Sequence, residues 1–163
     1  MRDQATLREE SQDVYMTQAA NCLALYQMIE AALRSILPLL YSRANDAMPP
    51  GMCCKWTERE LSKASLGKLI DRLAQIYDAD PELIKNLRSL VNDRNVFAHS
   101  ALGLHWHLGF DANTYLSKCS DVTRKMEELN IPMTKLIDLF GRLRANECLE
   151  PTSKRQRSPR GSS

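Results

Sequence analysis

Residues 27–41 read QMIEAALRSILPLLY, and this stretch decides the class of fold. Its apolar side chains recur at intervals of three and four residues, at Ile29, Leu33, Ile36, Leu37 and Leu40. A similar spacing reaches toward the N-terminus through Leu7, Val14, Ala20, Leu23, Leu25 and Met28. That period is typical of one face of an α-helix. We therefore predict a first helix from about Thr6 to Tyr41, with Pro38 kinking or shortening its last turns.

Start and stop signals divide the rest of the chain into further helices. After a predicted loop from Ser42 to Lys55, Thr57 and Glu60 have the spacing of a capping box, which opens a second helix running to about Tyr77. Asp80 followed by Pro81 is a strong start signal, because a carboxylate caps the helix and proline fits its first position. This third helix should run toward His99.

The C-terminal half continues the pattern with one interruption and one break. The segment Gly103–Phe110 predicts a loop or short hairpin-like stretch, and a fourth helix is expected over Ala112–Leu129. Ile131-Pro132 should end that helix, leaving a fifth over Met133–Glu147. The chain is thus predicted to be all-α, an up-and-down bundle of four to five helices.

Composition agrees with one domain and a tail. The chain has 163 residues, 44% apolar and 26% charged, with a net charge of +2. We assign residues 1–150 to the bundle and residues 151–163 to a disordered basic tail with four cations and no acid. The tail is either a solubilising end or a loose arm for RNA or another polyanion.

Membrane, secretion and metal signals are weak. The longest apolar run, Ile36–Tyr41, is far short of a membrane span, and MRDQATLREE does not read as a signal peptide. We expect a cytoplasmic protein without a membrane contact. The five cysteines lack C-x-x-C spacing, and His105 with His107 would give only half of a metal site. We therefore expect no metal and no cofactor.

The segment SLVNDRNVFAHS, residues 89–100, differs from the other helical stretches. On a regular helix its polar residues align in one stripe with those of the preceding turns, namely Lys85, Arg88, Asn92, Asn95 and His99. Arg94 falls on the opposite, apolar face, where an unpaired guanidinium is costly. Arg94 therefore needs a partner for its charge, an opening to solvent, or a break in the helix. Alternatively, the helix ends before Arg94, which then pairs with Asp71 or Asp93.

Arg94-Asn95-Val96-Phe97-Ala98-His99 resembles the signature of the HEPN superfamily, an arginine, a polar residue and a histidine after four to six positions. The resemblance implies a helical fold and a homodimer whose two motifs line one cleft. It also implies a metal-independent endoribonuclease, often a toxin or phage-defence effector. Some relatives paired with nucleotidyltransferase antitoxins carry a tyrosine two residues after the histidine, and here that position is Ala101.

The resemblance also implies residue roles. His99 would act as general acid or base at a ribose 2′-hydroxyl, Arg94 would steady the phosphate, and Asn95 would orient His99 or the phosphate. The product would be a 2′,3′-cyclic phosphate. Further substrate contacts are expected from Lys85, Arg88, Asn92 and Ser100.

The sequence leaves open how Arg94 and His99 meet and whether the chain is an active enzyme. Arg94 and His99 lie five residues apart, about 140° around a regular helix, so they converge only through a long side chain, an irregular helix or a second subunit. Expected partners are RNA, a second copy of the chain, and an antitoxin or another protein. The alternative function is an inactive HEPN-like dimer that binds a nucleotide or a protein partner.

Overall fold

A computed structural model describes residues 3–106 and 110–149, with side chains for all of these except 100–106 and 146–149. These residues form five helices and contain no strand: α1 (Gln4–Ala47), α2 (Glu58–Lys63), α3 (Leu66–Ile76), α4 (Pro81–Trp106) and α5 (Ala112–Leu149). The all-α prediction is confirmed. The predicted tail, residues 151–163, lies outside the described residues.

The helix α1 is longer than the sequence predicted. It continues through Pro38 and ends at Ala47, so the segment predicted as a loop from Ser42 begins as helix. Packing and hydrogen bonds hold these last turns, because Tyr41 is buried and the Arg43 guanidinium donates to the carbonyl of Leu143. These contacts outweigh the single backbone hydrogen bond that a proline removes.

The helices α1 and α5 run parallel and pack along a common seam. Buried positions in α1 alternate by four and three, at Tyr15, Ala19, Cys22, Tyr26, Ile29, Leu33, Ile36 and Leu40. The same rhythm in α5 is carried by Tyr115, Cys119, Val122, Met126, Leu129, Met133, Leu136 and Phe140, buried or partly buried. Tyr15 meets Tyr115 at 6.1 Å between ring centroids. This is the heptad pattern of a coiled-coil seam.

The seam explains which apolar residues of α1 are not in the core. Leu7, Val14 and Met28 are exposed, because the seam follows the tyrosines and small residues on another face of the helix. The helix α1 contacts all four other helices and is the centre of the core. By length and composition it is also the one described helix that could cross a membrane, a test that the core helix of a soluble protein passes as well.

The helix α5 contains Pro132 in its interior, so the predicted break at Ile131-Pro132 is wrong. Leu129 and Leu136, on either side of the proline, are fully buried against the core. Burying a leucine contributes about 1.5–3 kcal/mol, whereas a proline inside a helix costs about 3 kcal/mol. Continuing the helix past Pro132 buries both leucines, which offsets the lost hydrogen bond.

The predicted second helix is two helices. The capping box is confirmed: the Thr57 hydroxyl accepts from the Glu60 amide and the Glu60 carboxylate accepts from the Thr57 amide, both at 3.1 Å. The backbone is extended at Ala64 and Ser65, which ends α2 and begins α3. Arg34 donates to the freed carbonyl of Ala64 at 3.1 Å. The break lets α3 turn its own apolar stripe toward the core.

The helix α4 begins where the sequence predicted and ends later. The Asp80 carboxylate accepts from the Leu83 amide at 2.9 Å, and the helix runs on to Trp106. The loop or hairpin expected from Gly103 is therefore wrong for residues 103–106, while residues 107–109 lie outside the described part. Lys135 pairs with Asp80 and Lys125 with Asp93, so α4 and α5 are antiparallel.

Candidate functional site on helix α4

The helix α4 separates polar and apolar residues as the sequence predicted. One face buries Leu83, Ile84, Leu87 and Leu90. The other face exposes Lys85, Arg88, Asn92, Asn95 and His99. The side chain of Ser100, the remaining predicted substrate contact, lies outside the described side chains. One surface of α4 thus carries five of the predicted site residues.

Arg94 lies at the edge of the apolar face and has an acidic neighbour on α1. Its Nη2 is 3.8 Å from Oε1 of Glu30, and 44% of its side chain is exposed. The alternative that the helix ends before Arg94 is wrong, because α4 continues twelve residues beyond it, to Trp106. The two acids considered on sequence pair elsewhere, Asp71 with Arg88 and Asp93 with Lys125.

Glu30 lies between two arginines. Its Oε2 accepts a hydrogen bond from Nη2 of Arg34 at 3.2 Å, while its Oε1 faces Arg94. Only 15% of the Glu30 side chain is exposed, so the carboxylate is much less hydrated than a surface acid. Sequence reasoning missed this group, which we call the Glu30 cluster (Glu30, Arg34 and Arg94). The i,i+4 spacing of Glu30 and Arg34 was the available signal.

Asn95 contacts Arg94 rather than His99. The Arg94 Nη1 donates to Oδ1 of Asn95 at 3.3 Å, whereas Nη2 is the nitrogen nearest Glu30. In the part of the chain that the structure describes, no hydrogen bond or ion pair joins Arg94 to His99. Because α4 is helical throughout the motif, the two side chains leave it about 140° apart.

A second ionic cluster ties α4 to α5 beside the motif. Lys125 donates to Asp93 at 2.6 Å and to Glu128 at 2.7 Å, and 22% of the lysine side chain is exposed. Burial lowers the pKa of Lys125, but the hydrogen bonds to the two carboxylates outweigh burial and leave that pKa raised. This lysine is therefore a charged anchor at neutral pH. The cluster fixes α4 on the core next to Arg94.

The described residues contain no cluster of candidate metal ligands. Within residues 3–106 and 110–149 no group of three or more His, Cys, Asp or Glu side chains could hold a metal ion. The side chain of His105 and all of His107, the predicted half-site, lie outside the described part. Cys22 is free and buried, and burial raises its pKa to about 11, so its thiol is protonated at neutral pH.

The comparisons with known proteins give no match. No family model matches the chain, and neither a curated protein nor a solved structure matches it. Residues 94–99 and their geometry on α4 are therefore the features that indicate a function.

Proposed function

We propose that the chain is a HEPN-like homodimer and a metal-independent endoribonuclease of the cytoplasm, of the toxin or phage-defence kind. The observation that carries this proposal is the placement of Arg94, Asn95 and His99, all exposed on one continuous helix. A histidine titrating near neutrality suits proton transfer, and an arginine offers a fork of donors that matches phosphate. These residue types suit RNA cleavage without a metal.

The proposed reaction uses the RNA's own hydroxyl as nucleophile. His99 accepts the proton of a ribose 2′-hydroxyl, and that oxygen attacks the adjacent phosphorus. The bond from phosphorus to the 5′-oxygen breaks, and the departing oxygen takes up a proton from solvent, to which His99 returns the proton it accepted. Arg94 stabilises the negative charge on the phosphate oxygens as the transition state forms. The products are a 2′,3′-cyclic phosphate and a 5′-hydroxyl.

A second copy of the chain brings together an Arg94 and a His99 that a single helix holds apart. In a twofold-symmetric dimer, residue i of one protomer meets residue j of the other and the reverse. If two α4 helices cross antiparallel at the level of residues 96 and 97, Arg94 of one copy lies at the same level as His99 of the other. Val96 is 66% exposed near His99, so an apolar side chain is available there for a second copy to cover. Each dimer would then have two composite sites.

The test is cleavage of single-stranded RNA and tRNA in EDTA. Wild-type protein should cleave and leave cyclic-phosphate ends, and His99→Ala should lower the rate about 10²–10⁴-fold. Arg94→Ala should lose cleavage as well, whereas Lys118→Ala, an exposed cation on α5, should not. Cleavage that EDTA abolishes, or that His99→Ala leaves intact, would contradict the proposal.

The second candidate is an inactive dimer that binds a nucleotide or a protein partner, such as an antitoxin. The contact that favours it is the ion pair of Arg94 with Glu30, because this pair gives the arginine a structural role within one protomer. This candidate expects no cleavage by any form and a lower melting temperature for Arg94→Ala. Folded dimers that never cleave RNA would favour it over the nuclease.

A further inference from the structure

A cavity of about 440 Å³ lies between the end of α3 and the start of α4. Its walls are mostly apolar, and its rim is charged; the lining residues are Ala74, Tyr77, Asp78, Pro81, Ile84, Lys85 and Arg88. We call it the α3–α4 cavity. Its volume is within the range of about 300–1,000 Å³ that is usual for small-ligand sites. It is therefore large enough for one nucleobase with its sugar.

The cavity combines an aromatic surface with two cations. Tyr77 is partly exposed, and its backbone amide donates to the carbonyl of Leu73 at 2.9 Å, which fixes the residue at the end of α3. The Tyr77 side chain also packs partly against the core, and partly exposed aromatic rings are platforms on which unpaired bases stack. Lys85 and Arg88 are three residues apart and therefore neighbours on one face of α4. Two neighbouring cations of this kind suit the negative charge of a phosphate group.

The acids near the cavity leave those cations accessible. Arg88 is 3.8 Å from Asp71, and both side chains are more than half exposed, so this ion pair is weak and a phosphate can replace it. Asp78, also on the rim, offers an acceptor for a ribose hydroxyl or a base N–H. The lining as a whole suits a group with a flat ring at one end and an anion at the other.

The cavity and the candidate site lie on the same surface of α4. Lys85 and His99 belong to one exposed stripe, and their separation of fourteen positions corresponds to about 21 Å along the helix axis. About six stacked nucleotides of one strand span that distance. We propose that the α3–α4 cavity binds one nucleotide unit of an RNA strand, with its base on Tyr77 and its phosphate on Lys85 and Arg88. The path of the strand toward His99 rests on the proposed function.

The test measures binding and does not require cleavage. The full chain carrying His99→Ala is mixed with a fluorescein-labelled single-stranded RNA hexamer in EDTA, and anisotropy is recorded over a range of salt concentrations. On this background, Tyr77→Leu removes the ring but keeps apolar volume, and Tyr77→Phe keeps the ring. Phe140→Leu, a partly buried aromatic on α5, is the matched control for loss of a ring.

The charge test compares two double variants that lose the same number of cations. Lys85→Gln with Arg88→Gln removes the rim cations, whereas Lys118→Gln with Arg142→Gln removes two exposed cations from α5. The rim variant should lower the slope of log Kd against log salt by about 0.7, because the two cations bind one phosphate and each phosphate contact on a single strand contributes about 0.7. The α5 variant should leave that slope unchanged.

We expect Tyr77→Leu to weaken hexamer binding about tenfold, and Tyr77→Phe and Phe140→Leu to bind like the parent. Equal affinity of Tyr77→Leu and parent, with both folded by circular dichroism, would overturn the proposal. So would equal losses of slope in the two double variants. Uridine or adenosine monophosphate should bind at least a hundredfold more weakly than the hexamer. A monophosphate that binds as tightly as the hexamer would overturn the placement on a strand.

The failure of this inference and that of the proposed function are distinguishable. If wild-type protein does not cleave RNA but Tyr77→Leu weakens binding, the nucleotide site in the α3–α4 cavity is supported and the nuclease proposal is contradicted. If cleavage depends on His99 but Tyr77→Leu binds RNA like the parent, the nuclease proposal is supported and the nucleotide site in the α3–α4 cavity is contradicted.

Discussion

Arg94 shows what single residues can and cannot disclose. The sequence predicted that an arginine on the apolar side of α4 requires a partner, and the structure supplies Glu30 at 3.8 Å. The acids considered on sequence, Asp71 on α3 and Asp93 next to Arg94 on α4, pair with other cations. The actual partner lies on α1, because helix packing and not chain proximity selects it.

We expect Glu30→Gln to lower the free energy of unfolding by about 1–2 kcal/mol. The substitution leaves the partly buried Arg34 without its charged hydrogen-bond partner, at 3.2 Å in the wild type. The coupling of Glu30 to Arg94 should stay below about 1 kcal/mol, because Arg94 is nearly half exposed. Urea unfolding of the single and double variants with Arg94→Ala measures both quantities.

Glu9→Gln is the matched control for that measurement, since Glu9 is an exposed acid on the same helix. It should change the free energy of unfolding by less than about 0.5 kcal/mol. Equal effects of Glu9→Gln and Glu30→Gln would mean that the Glu30 cluster does not stabilise the fold.

At the scale of elements, the helix starts with a capping side chain were predictable, whereas the uncapped start of α3 and the helix ends were not. Thr57 and Asp80 begin helices by binding backbone amides three residues ahead, a local interaction that four residues of sequence disclose. The end of α1 and the continuity of α5 through Pro132 depend on distant contacts. The proline signals at Pro38 and Pro132 were therefore overridden because each helix still had a core to pack against.

The start of α4 has a testable pH dependence. The hydrogen bond from the Leu83 amide, followed by the one from Lys135, holds the pKa of Asp80 below its usual value of 3.8. A carboxylate with a lowered folded-state pKa stabilises the fold above pH 3.8, and this contribution is lost as the pH falls through the lowered value. Asp80→Asn keeps a good cap but removes the charge and its lysine pair.

Wild-type protein should therefore be more stable than Asp80→Asn at pH 6, and the difference should shrink as the pH falls below 3.8. Urea unfolding of both proteins from pH 6 to pH 3 measures it. Asp46→Asn, at an exposed carboxylate near the end of α1, is the control and should differ little from wild type throughout. A difference that does not vary with pH would mean that the Asp80 charge is not involved.

At the scale of the whole molecule, the fold depends on two long helices that lie side by side. The seam of α1 and α5 joins residues whose numbers differ by 100, such as Arg43 and Leu143. Both helices have the heptad rhythm, but tyrosines and cysteines carry much of it in the first half of each helix. The apolar positions predicted for the first half of α1 include no tyrosine or cysteine, and two of them, Leu7 and Val14, are exposed.

The proposed dimer predicts complementation between inactive variants. If each site takes Arg94 from one copy and His99 from the other, a dimer of Arg94→Ala with His99→Ala contains one intact site. Random mixing makes half of all dimers mixed, so cleavage should return to about a quarter of the wild-type rate. Mixing the variants, allowing subunit exchange and measuring RNA cleavage tests this expectation.

Each variant alone and the double variant Arg94→Ala with His99→Ala are the controls, and all of them should be inactive. Cleavage by wild-type protein without any recovery in the mixture, after exchange is shown by labelled subunits, would place both residues of a site in one protomer. The twofold arrangement about Val96 and Phe97 would then be wrong.

The sequence by itself determined the helical class, the capped helix starts and the polar stripe of α4 from Lys85 to His99, because periodicity and capping act over a few residues. Only the tertiary structure decided where the long helices end, that α1 and α5 lie parallel, and that Glu30 holds Arg94. These features depend on apolar burial and ion pairing between segments far apart in the chain, and a one-dimensional pattern does not specify which segments meet.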